Sequence, residues 1–180
     1  MINVLESILN TKWAGIYTNI DETDKFNYGM VIAVGHDDFA IYEISPDGKY
    51  DGVVAKKISS VIKIETDSEY IREMLEKTPD SELGLFDMPP YVENVSLYLL
   101  KSAMKTQKIV SIELVDSGYF NAVGFVKNIT ETTVQILQVT NDGEEDGFAY
   151  LPIELISEVS YFTEDEQKIQ KCWQIRLNGE

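Results

Sequence analysis

The chain has 180 residues, 44% of them hydrophobic and among them ten tyrosines and seven phenylalanines, which is ample material for a packed core and excludes a disordered chain. Its formal charge of −16 is spread as −9 over residues 1–90 (17 acids, 8 bases) and −7 over residues 91–180 (14 acids, 7 bases), so the acidity is no tail and it opposes a nucleic-acid partner. One cysteine, Cys172, no basic leader before a long apolar stretch, and no apolar run near membrane length give the expectation of a soluble cytoplasmic protein of a reducing compartment, without membrane association.

Taken in chain order, Ile2, Leu5, Ile8 and Leu9 follow the three-four spacing of one helix face. Five runs rich in β-branched and aromatic residues follow: "GIYTNI", "YGMVIAV", "FAIYEI", "GVVAKK" and "SVIKIE". Then comes an acid-rich helix, "TDSEYIREMLEK", with Thr66 and Glu69 at capping-box spacing. Residues 78–90, "TPDSELGLFDMPP", hold three prolines and read as a linker whose Leu83, Leu85, Phe86 and Met88 are expected to pack down.

The same order then begins again. Val92, Val95, Leu99 and Ala103 mark a second leading helix. Val110, Ile112 and Leu114 alternate with Ser111, Glu113 and Val115, and "NAVGFVKNI", "TVQILQV", "GFAYL" and "ISEVSYF" follow. "TEDEQKIQK" closes the series, with Thr163 and Glu166 as its capping box. Setting Gly29 over Gly124 fixes an offset of 95 residues, which pairs Leu5 with Leu100, Ile41 with Ile136, and Ile58 with Ile153. After Ile58 the copies are expected to slip by about two residues and then rejoin. A two-unit chain of this period reads as a duplicated domain, with units over residues 1–77 and 91–180, because solenoids stack three or more shorter repeats. Five short strands per unit are too few for an open sandwich. The expected fold is therefore mainly β, two tandem five-stranded barrels, each with short flanking helices.

The doubled Asp-Gly-x-x-Asp-Gly, at Asp47-Gly48/Asp51-Gly52 and Asp142-Gly143/Asp146-Gly147, raises the question of a calcium or phosphate loop. Calcium loops alternate oxygen ligands and end on a distal bidentate glutamate, which neither copy supplies, and phosphate loops place their glycines at a strand-to-helix turn. Asp-Gly between two β-rich runs is hairpin chemistry. No cofactor and no metal are expected. Asp47, Asp51, Asp142, Glu144, Glu145 and Asp146 remain as candidates for contact with a partner.

A short helix, five strands and a glycine in the second strand, as Gly29-x-Val31-x-x-Val34 and Gly124-x-Val126-x-x-Ile129, resemble the Sm-like barrel of RNA-associated proteins. The hydrophobic, Asp-Gly, hydrophobic, Pro-x-x-Ile pattern is also similar to small bacterial Sm-like proteins of unassigned role. The resemblance implies tandem Sm-like units, an RNA site, and assembly of like units into a homo-oligomer. The positions of the family's uridine-reading asparagine and aspartate are Phe39 and Gly35 in the first copy and Val134 and Thr130 in the second. The basic dipeptide of its second motif is missing from "VAKKISSV" and "YLPIELIS".

Charge and the missing base-reading residues together favour a non-catalytic, acidic protein-interaction module over an RNA-binding Sm-like protein. In its specific form it is an inhibitor or immunity-type protein whose carboxylates imitate nucleic acid toward a basic partner. A hydrolytic enzyme using His36, flanked by Asp37 and Asp38, is the third reading. A turn histidine among solvated neighbours explains that residue more simply, and Cys172 reads as a small buried hydrophobe. The aromatics Trp13, Tyr17, Tyr28, Tyr42, Tyr50, Tyr119, Phe120, Phe148, Tyr150, Tyr161 and Phe162 read mostly as packing, some at a partner surface.

Overall fold

A computed structural model describes residues 1–22, 24–78, 86–115 and 117–179, and strands predominate in it as expected. Two units separate by their internal contacts, Met1–Val95 and Ser96–Glu180. Among the described residues no helix is long and apolar enough to cross a membrane.

In the first unit, helix α1 (Ile2–Ile8) buries Leu5 and Ile8, and the chain turns at Asn10, whose positive φ lets its amide bond to the Val31 carbonyl at 2.8 Å. Strands β1 (Trp13–Tyr17), β2 (Asn27–Val34), β3 (Asp38–Ile44), β4 (Tyr50–Lys57) and β5 (Lys63–Glu65) pair antiparallel in the order β5-β1-β2-β3-β4. The first strand lies earlier than "GIYTNI" suggested. Asn19 accepts a bond from the Asp21 amide at 2.9 Å, and this local turn takes the chain out of the ladder, leaving Ile20 exposed. Leu5 of α1 joins Ile16, Val31, Phe39 and Ile41 of the strands in the core, all of them fully buried. Residues 86–95 belong to this unit: the Val34 amide bonds to the Pro90 carbonyl at 3.0 Å, and Met88 is buried. The expected packing residues Leu83 and Leu85 lie outside the described residues.

Helix α2 (Glu69–Lys77) corrects one expectation. Its cap is Ser68, whose hydroxyl accepts from the Ile71 amide at 3.4 Å, and Glu69 is the first helical residue. The Thr66–Glu69 box fails because Asp67 adopts a positive φ of 58°, which places the chain reversal between Thr66 and the helix.

The second unit repeats the order. After α3 (Val95–Thr106), strands β6 (Ile109–Leu114), β7 (Phe120–Ile129), β8 (Thr133–Val139), β9 (Glu145–Pro152) and β10 (Ile156–Tyr161) pair as β10-β6-β7-β8-β9, and α4 (Glu164–Gly179) follows. Ile109, Phe125, Leu137, Val139 and Ile169 form a buried cluster, with Trp173 against it. Of the Thr163–Glu166 box expected at the start of α4, the glutamate arm is formed: the Glu166 carboxylate accepts from the Thr163 amide at 2.8 Å and from its hydroxyl at 2.5 Å.

In the ladders joining the second strand to the third and the third to the fourth, the registers of the two units agree at the offset of 95. Val31 faces Ile41 as Val126 faces Ile136, and Asp38 faces Lys57 as Thr133 faces Pro152. The bulges coincide too, between Val31/Ala33 and Val126/Asn128, and between Tyr42/Ile44 and Leu137/Val139. The slip expected after Ile58 does not occur: the positive φ at Asp67 and at Phe162, and the helix starts at Glu69 and Glu164, keep the offset of 95. A shift of one residue does occur in the first strand of each unit, where Ala14 faces Gly29 but Val110 faces Gly124.

The closed barrel is also corrected. Among the described residues no ladder within a unit joins β4 to β5 or β9 to β10. A single 3-10 turn, Ile58–Ser60 or Ile153–Leu155, is tied to the turn between the second and third strands and sends the fifth strand onto the first strand, so it never runs beside the fourth. Each unit is an open five-stranded sheet, bent at its bulges.

Candidate functional site

The doubled Asp-Gly motif forms two matching hairpins. Gly48 and Gly143 have φ of 83° and 79°, and their amides bond to Ser45 and Thr140 carbonyls at 2.9 Å in both units. Glycine is required for a second reason: a Cβ on Gly48 would lie 2.5 Å from the Lys77 carbonyl oxygen, and one on Gly143 would lie 2.3 Å from the Trp173 nitrogen. Each hairpin therefore sits directly on its own trailing helix.

The candidate carboxylates decorate these hairpins without converging. Asp47 receives Lys49 Nζ at 2.6 Å and the Ser45 hydroxyl at 2.5 Å, and Lys49 first, then Ser45, lower its carboxyl to about 2. Glu144 pairs with Arg176 Nη1 at 3.0 Å, and Arg176 Nε also donates to the Asp142 carbonyl at 2.7 Å, tying the second hairpin to α4. Glu145 and Asp146 are exposed at the start of β9. Among the described residues no group of three or more His, Cys, Asp or Glu side chains is placed to hold a metal ion.

Of these carboxylates, Asp51 borders a concavity. It lines a cleft of about 370 Å³ in the first unit, between the segment leading into β2, the β3–β4 hairpin and α2. Asp24, Phe26, Glu43 and Tyr70 share that lining. Phe26 stands edge-on to Tyr70, with centroids 5.2 Å apart at 86°, and its other side packs on Tyr17 at 4.8 Å. Gly15 on β1 makes room for that ring, since a Cβ there would lie 2.9 Å from Phe26 Cδ2. Glu43 accepts a bond from Asn27 Nδ2, which fixes the carboxylate at the cleft wall. The one lysine in the lining, Lys25, is held by Glu22 at 2.5 Å. The sequence did not single out Asp24, Phe26, Glu43 or Tyr70, because residues so far apart in the chain are gathered only by the sheet.

His36 is 86% exposed, with Asp37 Oδ1 3.9 Å from Nε2. Its neighbour Asp38 is turned inward, 1% exposed, and accepts from the Val95 amide at 2.9 Å. Cys172 is half-buried on α4 beneath the second hairpin. Phe39 and Val134, at the uridine-reading positions of the resemblance, are 0% exposed core residues. The aromatics divide between the units: Trp13 stacks on Tyr28 and Tyr42 on Tyr50, while Tyr119, Phe120, Phe148 and Tyr150 of the second unit are exposed. Comparison of the chain with protein-family models, with curated proteins and with solved structures finds no match.

Proposed function

We propose that this chain is a non-catalytic interaction protein of the cytoplasm, built from two duplicated Sm-like units, that binds a basic protein through its acidic surface. The observation that carries the reading is the excess of carboxylates on both units. Lys12, Lys25, Lys49, Lys63, Lys168 and Arg176 are each matched locally by an acid, and the 31 acids against 15 bases leave a net −16 that these pairs do not neutralise. Such a field accelerates encounter with a positive partner. The exposed aromatics of the second unit support a protein partner, since rings at the surface are typical of interface centres. In its specific form the protein is an inhibitor or immunity-type protein that occupies the nucleic-acid site of a basic toxin or nuclease.

The RNA-binding reading has its own support in the strand order β5-β1-β2-β3-β4 beneath a leading helix, repeated in the second unit. It is the weaker reading because Phe39 and Val134 are committed to the core. The test is capture from native extract with and without nuclease, followed by titration of the purified captured protein across a salt series. A nuclease-resistant complex whose dissociation constant rises steeply with salt is expected. Saturable binding of an oligouridine strand by the purified chain, with no protein captured, would replace this reading by the RNA one.

A further inference from the structure

Strand β9 is bonded on one side only. It pairs with β8, and among the described residues no strand lies beyond it. The phase of that ladder decides which backbone groups are left over. The Ile153 amide bonds to the Thr132 carbonyl at 2.9 Å, so that pair is a bonded one. Bonded and non-bonded pairs alternate along an antiparallel ladder, so Leu151–Val134 and Ala149–Ile136 carry the bonds, while Tyr150–Gln135 and Phe148–Leu137 do not. The N–H and C=O groups of Phe148 and Tyr150 therefore point away from β8, along the open edge. Sheets commonly blunt such edges with proline, lysine or bulges. In β9 the bulge at Asp146-Gly147 blunts one end and Pro152 the other, which leaves Phe148, Ala149, Tyr150 and Leu151 unguarded between them. The rings of Phe148 and Tyr150, two residues apart and so on one face of the strand, are 54% and 64% exposed. Their counterparts at the offset of 95, Val53 and Ala55, are small and fully buried, so the strand position does not itself require rings.

We propose that an extended segment of the basic partner, carrying lysine or arginine, adds to the second unit as a strand along the open edge of β9; this rests on the interaction reading above. The outward N–H and C=O groups of Phe148 and Tyr150 supply four backbone bonds to such a segment. A helix has its own backbone groups engaged and a nucleic acid has none, so neither matches this row. The rings cover the apolar or β-branched side chains that the added strand turns to their face. Charge selects between the remaining occupants. Glu145 and Asp146 stand exposed at the start of β9, and Glu154 is exposed just past its end. A second copy of the chain would bring its own net −16 onto this edge, whereas a basic segment brings the opposite charge.

The experiment uses the full chain and a fluorescent peptide of sequence KKVTVTVKK, titrated by anisotropy at low salt, with circular dichroism confirming that each variant is folded. The same peptide N-methylated at its five central residues keeps the charge and loses the strand edge, and it is expected to bind at least about tenfold more weakly. Tyr150→Pro removes an outward N–H without touching the β8 ladder and is expected to weaken binding about tenfold; Tyr150→Thr, which keeps that N–H, about threefold. Hydrogen exchange reads the phase directly. In the free chain the Ala149 and Leu151 amides are expected to exchange slowly and those of Phe148 and Tyr150 fast, and the peptide is expected to slow the latter two. Binding indifferent to N-methylation and to Tyr150→Pro would overturn the edge and leave the acidic-surface reading in place. Slow exchange at Phe148 and Tyr150 in the free chain, lost on dilution, would overturn it in favour of a second copy. No binding of the peptide at low salt would also overturn the edge, whereas the interaction reading falls separately, if native extract yields no protein.

Discussion

Gly29 and Gly124 lie where the backbone of the third strand leaves no room for a Cβ on the second. A Cβ on either would meet a carbonyl oxygen of the facing strand, Tyr42 O at 2.2 Å or Leu137 O at 2.0 Å, and a backbone cannot yield as a side chain tip can. Gly29→Ala and Gly124→Ala are each expected to cost about 1–3 kcal/mol in urea unfolding. Gly179→Ala, where nothing lies within 4 Å, should leave the midpoint unmoved. If the glycine variants matched that control, the close approach would be without consequence. Glu166 gives a second residue-scale prediction. Burial raises its carboxyl above the ordinary range, more than Ser111 and Thr163 lower it. The fold therefore favours the protonated form, and stability falls as pH rises from the unfolded value through the raised folded one. Asp47, Glu65 and Asp67 act with the opposite sign: their values are lowered, so their contribution is present above the ordinary carboxylate range and is lost as pH falls through the folded values. Glu166→Gln removes only the first of these effects. Its stability relative to the unaltered chain should increase between pH ~4 and pH ~8, and parallel curves would mean that Glu166 does not titrate differently on folding.

At the scale of elements, the trailing helices show how local signals compete. Thr66–Glu69 and Ser68–Ile71 both lie three apart, and the sequence pattern favoured the first because only it ends in a glutamate. The deciding feature is the positive φ at Asp67, a backbone state that no side chain in that stretch announces. Ser68→Ala is accordingly expected to lower stability by about 1 kcal/mol, while Thr66→Ala should change it by less than half as much. The reverse ranking would restore the original cap. In the second unit the pattern and the backbone agree, since Phe162 takes the positive φ at the position equivalent to Asp67 and leaves Thr163 to cap. The strands were legible from their alternation over Val110, Ile112 and Leu114, although burial does not alternate along β6: Ile109 to Ile112, Ser111 among them, are all buried, and Glu113 and Leu114 are both partly buried. The cleft was not legible in this way, because Phe26, Glu43 and Tyr70 obey no common period and meet only after β2, β3 and α2 are placed.

At the scale of the whole molecule, an offset read from sequence reappears in the second, third and fourth strands of each unit as shared pairing, shared bulges and shared hairpin bonds, because register is fixed by which side chains must face the core. Closure into a barrel was not readable, since it depends on where one 3-10 turn sends a short fifth strand. Charge was readable in amount but not in effect, and its effect can be measured. Local pairs such as Lys12–Asp67 at 2.6 Å and Lys168–Glu164 at 3.1 Å lie at exposed positions, where ion pairs contribute little. The net −16 acts against compaction over longer distances. Raising ionic strength from ~10 mM to ~150 mM shortens the screening length from about 30 Å to about 8 Å, which weakens the long-range repulsion much more than contacts of a few ångströms. The melting temperature should therefore rise with sodium chloride over that range, and most of the rise should be complete by its upper end. A fall would mean that the local pairs outweigh the collective repulsion, and the acidic surface would then be better matched to its own cations than its composition implies.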